Sequence, residues 1–386
     1  MNNTYLDNKM KNTCNGCGVC ALVCPKKCIK MVEDGEGFLY PEIDESKCIK
    51  CNICRKACSN FPKINEYKIK AYATKNKDNE KREKSTSGGM FKILAEYIIQ
   101  KKNGVVFGVK FDENLTAIHG FAENIKECKE FSFSKYVRSD LRDSYQKVKE
   151  FLDNDRYVLF TGTPCQVQGL RSFIKKDNEK LILCEIICHA NPSPKVLKMY
   201  LRNKEKIFGK KINTMYFRSK NPEMDNGAYI EFEDGTKIKE SLYITAFSGE
   251  QLISRPSCNN CQFVTENRKA DFTIGDFWGI EKVIPEFNDK KGISLLTVNT
   301  EKASLIFEEV KEKMEYKETD LKLAFKYNHH SNLAQSKNRK KFFDGICNGD
   351  INENNIIEYM KKYTKRTLCT RVIIKLKKIK QKLLKK

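Results

Sequence analysis

The stretch CNGCGVCALVCP, residues 14–25, places four cysteines at intervals of three, three and four residues and closes with a proline. A second stretch, CIKCNICRKACS at residues 48–59, repeats the cysteine spacing without the proline. Two-residue gaps let three thiolates of one tight loop face three irons of a cube, while the fourth thiolate begins a helix that points elsewhere. This spacing is that of bacterial proteins with two iron-sulfur cubes, so it predicts two cubes here.

The fourth cysteine of each run is expected to serve the cluster of the other run, as in two-cluster proteins with this spacing. The predicted ligands of one 4Fe-4S cluster are Cys14, Cys17, Cys20 and Cys58. The predicted ligands of the second 4Fe-4S cluster are Cys48, Cys51, Cys54 and Cys24. Zinc is the alternative occupant because CxxC pairs also suit tetrahedral zinc. Cys28 is expected to be a spare, partly buried thiol.

Composition narrows the function classes. A chain of 386 residues exceeds what one compact core usually supports, so several domains are expected. The N-terminus is polar, and no apolar run reaches the about 18 residues that would span a bilayer, which predicts a cytoplasmic protein. The 17 cysteines are not expected to form disulfides there, which favours metal ligation. The charge of +22 is spread along the chain without a recognised nucleic-acid module, so no nucleic-acid partner is expected.

After residue 62 the hydrophobic pattern indicates alternating strands and helices. The stretch RYVLFTGTPCQVQGLRSFI reads as a strand, a turn and a helix that opens at Cys165, and LILCEIIC reads as the next strand. Two strands around a helix form a βαβ unit, which predicts a parallel or mixed sheet. In EFEDGTKIKE, the dipeptide Asp234-Gly235 predicts a hairpin with a primed turn.

The predicted fold class is α+β: a bacterial-ferredoxin-like domain, then a mixed α/β flavin-binding domain, then a helical C-terminal region. The expected boundaries are 1–62 for the two-cluster domain, 63–150 and 151–320 for two parts of the α/β region, 321–364 for a helical extension, and 365–386 for a tail.

The last 22 residues contain ten Lys or Arg, and their apolar residues share one face of a predicted helix. The residues on that face would be Leu368, Val372, Leu376, Ile379 and Leu383. A basic amphipathic helix can lie on an anionic membrane, which would place the protein peripherally at the inner membrane face. The alternative is a helix packed on its own protein or a frayed, solubilising tail.

Four motifs in one order identify a resemblance: TGTPCQVQGL from Thr161, CHANPSP from Cys188, CNNC from Cys258, and ADFTIGDFWG from Ala270. Together they resemble the family of coenzyme F-420 hydrogenase/dehydrogenase beta subunits, over about residues 68 to 320. The resemblance implies an FAD-binding domain that exchanges electrons between iron-sulfur clusters and a redox partner. In some members that partner is the deazaflavin coenzyme F-420, and related chains look as if they belong to polysaccharide biosynthesis.

Two stretches are candidates for contacting the flavin pyrophosphate through backbone N–H groups at a helix start. They are Ser87, Gly88 and Gly89, and Thr161, Gly162, Thr163 and Pro164. An ordinary turn or helix start is the alternative for the glycines. Asp276 and Trp278 of GDFWG are further candidates, with Trp278 either stacked near the flavin or buried in the core. Lys135 and Arg138 could neutralise phosphate or remain solvated. No catalytic residue is identified.

A third 4Fe-4S cluster is a further candidate. Its ligands would be Cys165, Cys188, Cys258 and Cys261. Cys165 and Cys188 each follow a strand, so they would meet at one edge of a parallel sheet. The alternative is that Cys165 and Cys188 are buried small residues or line the flavin pocket.

The combined interpretation is an iron-sulfur flavoprotein oxidoreductase that passes electrons between 4Fe-4S clusters and FAD, and on to coenzyme F-420 or another small molecule. The rival is a non-catalytic electron-relay subunit that serves a partner enzyme. In either case the basic surface would suit an acidic ferredoxin, flavodoxin or partner redox enzyme.

Overall fold

The computed structural model describes residues 5–59, 67–328 and 331–364. Its strands are β1 (Ile29–Glu33), β2 (Leu39–Ile43), β3 (Lys70–Asn76), β4 (Val105–Phe111), β5 (Ala117–Ala122), β6 (Val158–Gly162), β7 (Leu181–Ile186), β8 (Ile212–Tyr216), β9 (Ala228–Phe232), β10 (Lys237–Glu240), β11 (Phe272–Asp276), β12 (Ser294–Val298) and β13 (Met314–Thr319).

Its α-helices are α1 (Tyr5–Asn8), α2 (Val19–Leu22), α3 (Ile53–Ser59), α4 (Asn79–Glu83), α5 (Met90–Glu96), α6 (Ser144–Asp153), α7 (Pro164–Ile174), α8 (Pro194–Phe208), α9 (Leu242–Ile244), α10 (Ile280–Val283), α11 (Glu301–Val310), α12 (Leu321–Phe325), α13 (Arg339–Cys347) and α14 (Ile356–Thr364). Short 3-10 turns join several of these elements, including one at Pro256–Asn260.

An eight-stranded mixed sheet forms the centre of the molecule, in the order β13-β3-β12-β11-β7-β6-β4-β5. Strands β4, β6, β7 and β11 run parallel, and β3 shares their direction because β3 and β11 are both antiparallel to β12. The carboxyl ends of these five strands therefore meet at one edge, which we call the carboxyl edge. Ligands of such sheets bind beyond that edge.

Helices cover both faces of this sheet, so its strands are buried on both sides. Every residue of β6 and β12 is buried, as the continuous apolar runs of covered parallel strands require. On one face, Leu159 packs with side chains of α5 and α11. On the other face, Phe160 packs with side chains of α6 and α7. The two predicted parts of the α/β region thus share one sheet.

The N-terminal unit consists of α2, α3 and the antiparallel hairpin β1–β2. Phe38 and Tyr40 of this unit belong to a core formed by α8, the small antiparallel sheet β8–β9–β10 and the C-terminal helices α13 and α14. Arg339 donates from both terminal nitrogens to the Glu36 carboxylate, and Ser193 Oγ donates to the Glu36 carbonyl at 2.5 Å. The N-terminal unit is therefore fixed to the rest of the chain by apolar and ionic contacts.

The fold class is confirmed as a mixed α/β structure with a ferredoxin-like N-terminal region. Helix α7 begins at Pro164, one residue before the expected start, because Thr163 caps it: the Thr163 N–H donates to Gln166 Oε1 at 3.0 Å. The β9–β10 hairpin exists, but its turn is not primed, since Gly235 adopts a positive φ of 82° and Asp234 does not.

The tail at 365–386 lies outside the described residues, so its predicted amphipathic helix and membrane contact stay predictions. Within the described part of the chain, the structure contains no helix long and apolar enough to cross a bilayer.

Candidate iron-sulfur centres and the carboxyl edge

The first group of thiols lines a cavity between the N-terminal unit and α7, which we call the proximal pocket. Its predicted ligands are Cys14, Cys17, Cys20 and Cys58, and all four line this cavity. Three of them come from the first run, whereas Cys58 comes from the last turn of α3 in the second run. The two runs therefore cross in space as the spacing predicts. Cys165 also contributes to the wall of this cavity.

The second group lines a separate cavity at the far end of the N-terminal unit, which we call the distal pocket. Its predicted ligands are Cys48, Cys51, Cys54 and Cys24, and all four line it. Cys28 lies there too, with its Sγ 3.3 Å from Cys24 Sγ. The sequence did not anticipate that Cys28 would be a fifth thiol of this pocket, and it is buried rather than partly buried.

The expectation that the fourth thiolate of each run begins a helix was wrong. Cys24 follows α2 and Cys58 lies near the end of α3, so these thiolates end helices instead of beginning them. The loop before α2 requires glycine at position 16, where φ is 65° and a Cβ would lie 2.9 Å from Arg255 Nη1. This close approach fixes the first cysteine loop against the remainder of the chain.

The two pockets differ in their electrostatics. Burial raises the pKa of the Cys17 thiol to about 11 and that of Cys58 to about 12. In the distal pocket, burial also acts to raise the pKa of Cys24, but hydrogen bonds from the Cys28 N–H and thiol outweigh it and lower that pKa. Thiols must lose their protons to ligate iron. Iron binding must therefore offset a larger cost of ionising buried thiols in the proximal pocket than in the distal pocket.

A third group of thiols lies at the carboxyl edge: Cys165, Cys188, Cys258 and Cys261, which we call the edge thiols. Cys165 is in the first turn of α7 above β6, and Cys188 follows β7. Burial raises the pKa of the Cys188 thiol well above its usual value, and the neighbouring thiols of Cys258, Cys165 and Cys261 add to the shift. The Cys258 Sγ accepts the Asn191 N–H at 3.3 Å.

The donor sets suit iron-sulfur clusters. Each group offers at least four thiols, and backbone N–H groups donate to the sulfurs of Cys14 and Cys258, as they do around clusters. Among the described residues, no three His, Cys, Asp or Glu side chains converge tightly enough to hold one metal ion. A cube spaces its thiolates more widely than a single ion does.

The predicted flavin residues share the carboxyl edge, but their polar groups are largely engaged. Ser87 Oγ donates to the Ile293 carbonyl at 2.8 Å, and the Gly88 N–H donates to Ser294 Oγ at 2.9 Å. A Cβ at Gly88 would lie 2.4 Å from the Thr74 carbonyl oxygen, so close packing on the sheet explains this glycine. Gly89 adopts a φ of 89° and precedes α5.

The second predicted stretch lies at the end of β6, beside the edge thiols. Thr161 Oγ1 donates to the Phe107 carbonyl at 2.7 Å, and the Thr163 hydroxyl lies 3.2 Å from Cys165 Sγ. Gly162 ends β6 and Pro164 begins α7. Three strand spacings separate this stretch from Ser294 of β12, about 14 Å at about 4.8 Å per strand. The two stretches therefore face different positions along the edge.

Asp276 and Trp278 lie between those positions, at the end of β11. The side chain of Trp278 is 52% exposed, so it is not a core residue. Arg218 forms an ion pair with Asp276, and its guanidinium lies 4.7 Å from the centre of the Trp278 ring. Lys220 Nζ donates to the Ser87 carbonyl at 2.6 Å. Arg218 and Lys220 were not identified from the sequence. Their spacing of two residues just after β8, which places two cations on the same side of an extended segment, was the available signal.

Lys135 and Arg138 do not form a solvated basic edge. Lys135 Nζ donates to the carbonyls of Glu130 and Ser132, and burial lowers its pKa to about 7. Arg138 is buried between the proximal pocket and the edge thiols.

The fold and the thiol groups define an iron-sulfur electron-transfer protein. Residues 13–60 match the family described as a 4Fe-4S dicluster domain. Residues 155–323 match the family described as the C terminus of the coenzyme F420 hydrogenase/dehydrogenase beta subunit. These two matches confirm the resemblance to the beta subunit family that the four motifs indicate and the dicluster domain at the N-terminus.

Comparison with solved structures gives a chain of the F420-reducing nickel-iron hydrogenase complex from Methanosarcina barkeri, studied by xenon derivatization. It is 15% identical, with a TM-score of 0.46, and the match covers 78% of this chain and 94% of that one. No curated protein matched the sequence.

Proposed function

We propose that this chain is an iron-sulfur flavoprotein oxidoreductase that passes electrons between 4Fe-4S clusters and FAD, and on to a hydride-accepting or hydride-donating small molecule. The observation that carries the proposal is the sequence of thiol groups: distal pocket, proximal pocket, and edge thiols at the carboxyl edge of the sheet. The clusters supply one-electron transfer, and a flavin supplies the pairing of electrons into a hydride.

The cysteines provide this path by their placement. Cys14, Cys17, Cys20 and Cys58 are the proposed ligands of the proximal cluster, and Cys48, Cys51, Cys54 and Cys24 are those of the distal cluster. Cys165 lines the proximal pocket and is also an edge thiol, so it lies between the dicluster domain and the sheet. This position favours a third cluster at the edge thiols over buried, inert cysteines.

The carboxyl edge supplies groups that suit an anionic, aromatic cofactor. Exposed Trp278 and partly buried Arg218 form a cationic and aromatic pair, and Lys220 lies beside Ser87. The Gly88 N–H already donates to Ser294 Oγ, which argues against the candidate pyrophosphate contact at Gly88. We therefore propose Arg218, Lys220 and Trp278 as the side chains that bind FAD, together with the unassigned N–H of Gly89 before α5.

The substrate is proposed as coenzyme F-420 or an unidentified metabolite, with polysaccharide biosynthesis as one setting. The second candidate function is a non-catalytic relay that serves a partner enzyme. The exposed Cys51 and the neighbouring Ile49, which is 58% exposed, favour electron exchange with a partner at the distal pocket in both cases. An acidic ferredoxin or flavodoxin is the proposed partner, because exposed Lys26 and Lys50 line this pocket.

Anaerobic purification followed by iron, acid-labile sulfide and FAD determination tests the proposal. About twelve irons and about one FAD per chain are expected, since each cube holds about four irons. Cys165→Ser should lower the iron content toward about eight, whereas Cys128→Ser, a buried cysteine outside the three groups, should leave it unchanged. Protein without flavin would refute the flavoprotein assignment.

The response of the bound flavin to substrate distinguishes a catalyst from a non-catalytic relay. Substrate-dependent bleaching of the flavin absorbance by reduced coenzyme F-420, in the absence of any partner protein, is expected for the catalyst. No bleaching by any deazaflavin or sugar-pathway metabolite, together with fast reduction by a partner enzyme, would establish the relay.

A further inference from the structure

Two buried arginines lie between the proximal pocket and the edge thiols. Arg138 is 8% exposed, and its two terminal nitrogens point in different directions. Nη1 donates to Cys165 Sγ at 3.3 Å, and Nη2 donates to the carbonyl of Gly16 at 2.9 Å. One guanidinium therefore contacts both a thiol of the edge group and the loop that carries Cys14 and Cys17.

Arg255 is 1% exposed and lies on the other side of the same loop. Its Nε donates to the Cys14 carbonyl at 2.7 Å, and its Nη2 donates to the Leu39 carbonyl at 2.9 Å. The guanidinium lies 4.2 Å from the centre of the Tyr40 ring. Its own carbonyl accepts the N–H of Cys258 at 3.0 Å, so Arg255 also joins the first cysteine loop to the edge thiols.

Arg138 and Arg255 differ from the other buried arginines in having no carboxylate partner among the described residues. Arg82, Arg268 and Arg339 each form an ion pair with a carboxylate, namely Asp289, Glu185 and Glu36. Within residues 5–59, 67–328 and 331–364, no carboxylate lies within ion-pair distance of Arg138 or Arg255. Arginine keeps its proton in proteins, and a buried unpaired charge is costly, so both sites call for an anion.

The anions available at this place are the thiolates and the cubes they would hold. A cube held by four thiolates is negatively charged, and one added electron increases that charge. Reduction potentials of clusters respond to local charge and to hydrogen bonds that reach the sulfurs. A cation that donates to Cys165 Sγ stabilises the reduced state more than the oxidised state, and it therefore raises the midpoint potential.

We propose that Arg138 is a potential-setting residue that favours electron transfer from the proximal pocket to a cluster at the edge thiols, with Arg255 as a supporting cation. The inference rests on the proposed function, which supplies the third cluster. The step is balanced: one electron leaves the proximal cluster, which is oxidised, and enters the edge cluster, which is reduced, without bond making or proton transfer. A low-potential electron carrier at the distal pocket supplies that electron.

Anaerobic redox titrations followed by electron paramagnetic resonance test this role in Arg138→Gln, Arg138→Lys and wild type. The signal that is absent from Cys261→Ser identifies the edge cluster. In Arg138→Gln, the ratio of reduced to oxidised edge cluster at a fixed potential should fall about tenfold, which is a shift of about 59 mV to lower potential. Arg138→Lys keeps the charge but loses the fork geometry, so a smaller shift is expected.

Arg339→Lys is the matched control. Arg339 is also buried and also joins the N-terminal unit to the rest of the chain, but it is paired with Glu36. Arg339→Lys should leave the potential of the edge cluster unchanged. If Arg138 had a purely structural role, Arg138→Lys would also leave that potential unchanged.

The outcomes separate the inference from the proposed function. About twelve irons per wild-type chain with an unshifted edge potential in Arg138→Gln overturns the inference alone. About eight irons in wild type removes the third cluster and overturns the inference, whereas the flavoprotein assignment of the proposed function is overturned only by absence of flavin. If Arg138→Gln loses iron, Arg138→Lys decides: a lower edge potential than wild type supports the inference, and an equal potential overturns it.

Discussion

The proximal and distal pockets are built from the same cysteine spacing, yet their surroundings differ. The proximal pocket is lined by residues of α7 and by Gln262 and Phe263, which follow Cys261, and buried Arg138 and Arg255 adjoin it. The distal pocket has exposed Cys51, exposed lysines and a fifth thiol. The same local motif thus serves two environments, one suited to internal transfer and one suited to exchange with a partner.

The difference arises from what packs on each run. The first run contacts α7 and the loop at Arg255, whereas the loop at 48–52 has only the N-terminal unit beneath it. Burial and local charge set the potential of a cluster, so identical ligand spacing need not give identical potentials. The following experiments test whether the two pockets really behave differently.

The largest effect is expected from substituting the fourth cysteine of each run by serine. Cys58→Ser should remove the proximal cluster, because no spare cysteine thiol outside the three groups lines that pocket among the described residues. Cys24→Ser should retain a distal cluster, because Cys28 Sγ lies 3.3 Å from Cys24 Sγ and can replace it. Iron content and the cluster signals measured anaerobically check both variants.

The double variant Cys24→Ser/Cys28→Ser controls for that substitution and should lose the distal cluster, about four irons per chain. Equal iron loss in Cys58→Ser and Cys24→Ser would contradict the asymmetry between the pockets.

The cysteine spacing alone predicted which thiols meet, including the crossing of Cys24 and Cys58, because the spacing is a local constraint with few solutions. It did not predict the environment of either pocket. Arg255 contacts the first cysteine loop from more than 200 positions later in the chain. Such a contact depends on the packing of β1–β2 against the core that contains α8. The sequence likewise left Arg138 as a phosphate contact or a solvated residue, whereas tertiary packing buries it beside Cys165.

The carboxyl edge shows the same limit. The βαβ pattern predicted a parallel or mixed sheet but not its strand order, and Cys165 and Cys188 lie after two neighbouring parallel strands at one edge. The hydrogen bonds of Ser87 and Gly88 to β12 could not be anticipated, because β12 pairs with β3 from about 220 residues away. Glycines in a turn before a helix resemble a phosphate loop in sequence even when packing alone requires them.

Selective iron loss is the next largest expected effect. An iron chelator with a mild oxidant should remove the distal cluster before the others, since Cys51 is exposed whereas the proximal thiols are buried or partly buried. Iron release followed over time should show a fast phase of about four irons and a slower phase for the rest. Loss of the proximal signal first would reverse the assignment of the two environments.

Charge reversal at the distal pocket should have a more moderate effect. Lys26→Glu/Lys50→Glu should slow reduction by an acidic ferredoxin about tenfold at low salt, because both lysines line the pocket and steer an acidic partner. The difference should shrink at high salt as screening increases. Lys361→Glu, an exposed lysine on α14, is the control and should leave the rate unchanged. A salt-independent deficit would indicate damage to the cluster instead of weaker docking.

The smallest effect is expected from substituting Lys220 at the carboxyl edge, where the flavin is proposed to bind. Burial and then the charges of Arg82 and Arg218 lower the pKa of Lys220 to about 8. Lys220 is therefore positively charged below that pKa and neutral above it, so FAD affinity should weaken as pH rises from about 7 to about 9. Lys220→Met should bind FAD about fivefold more weakly at pH 7, about 1 kcal/mol, and should lose this pH dependence. Titration of flavin fluorescence measures both quantities. An unchanged pH profile in the variant would place the flavin phosphates away from Lys220, whereas the predicted profile would make the carboxyl edge near Ser87 the anionic end of the flavin site.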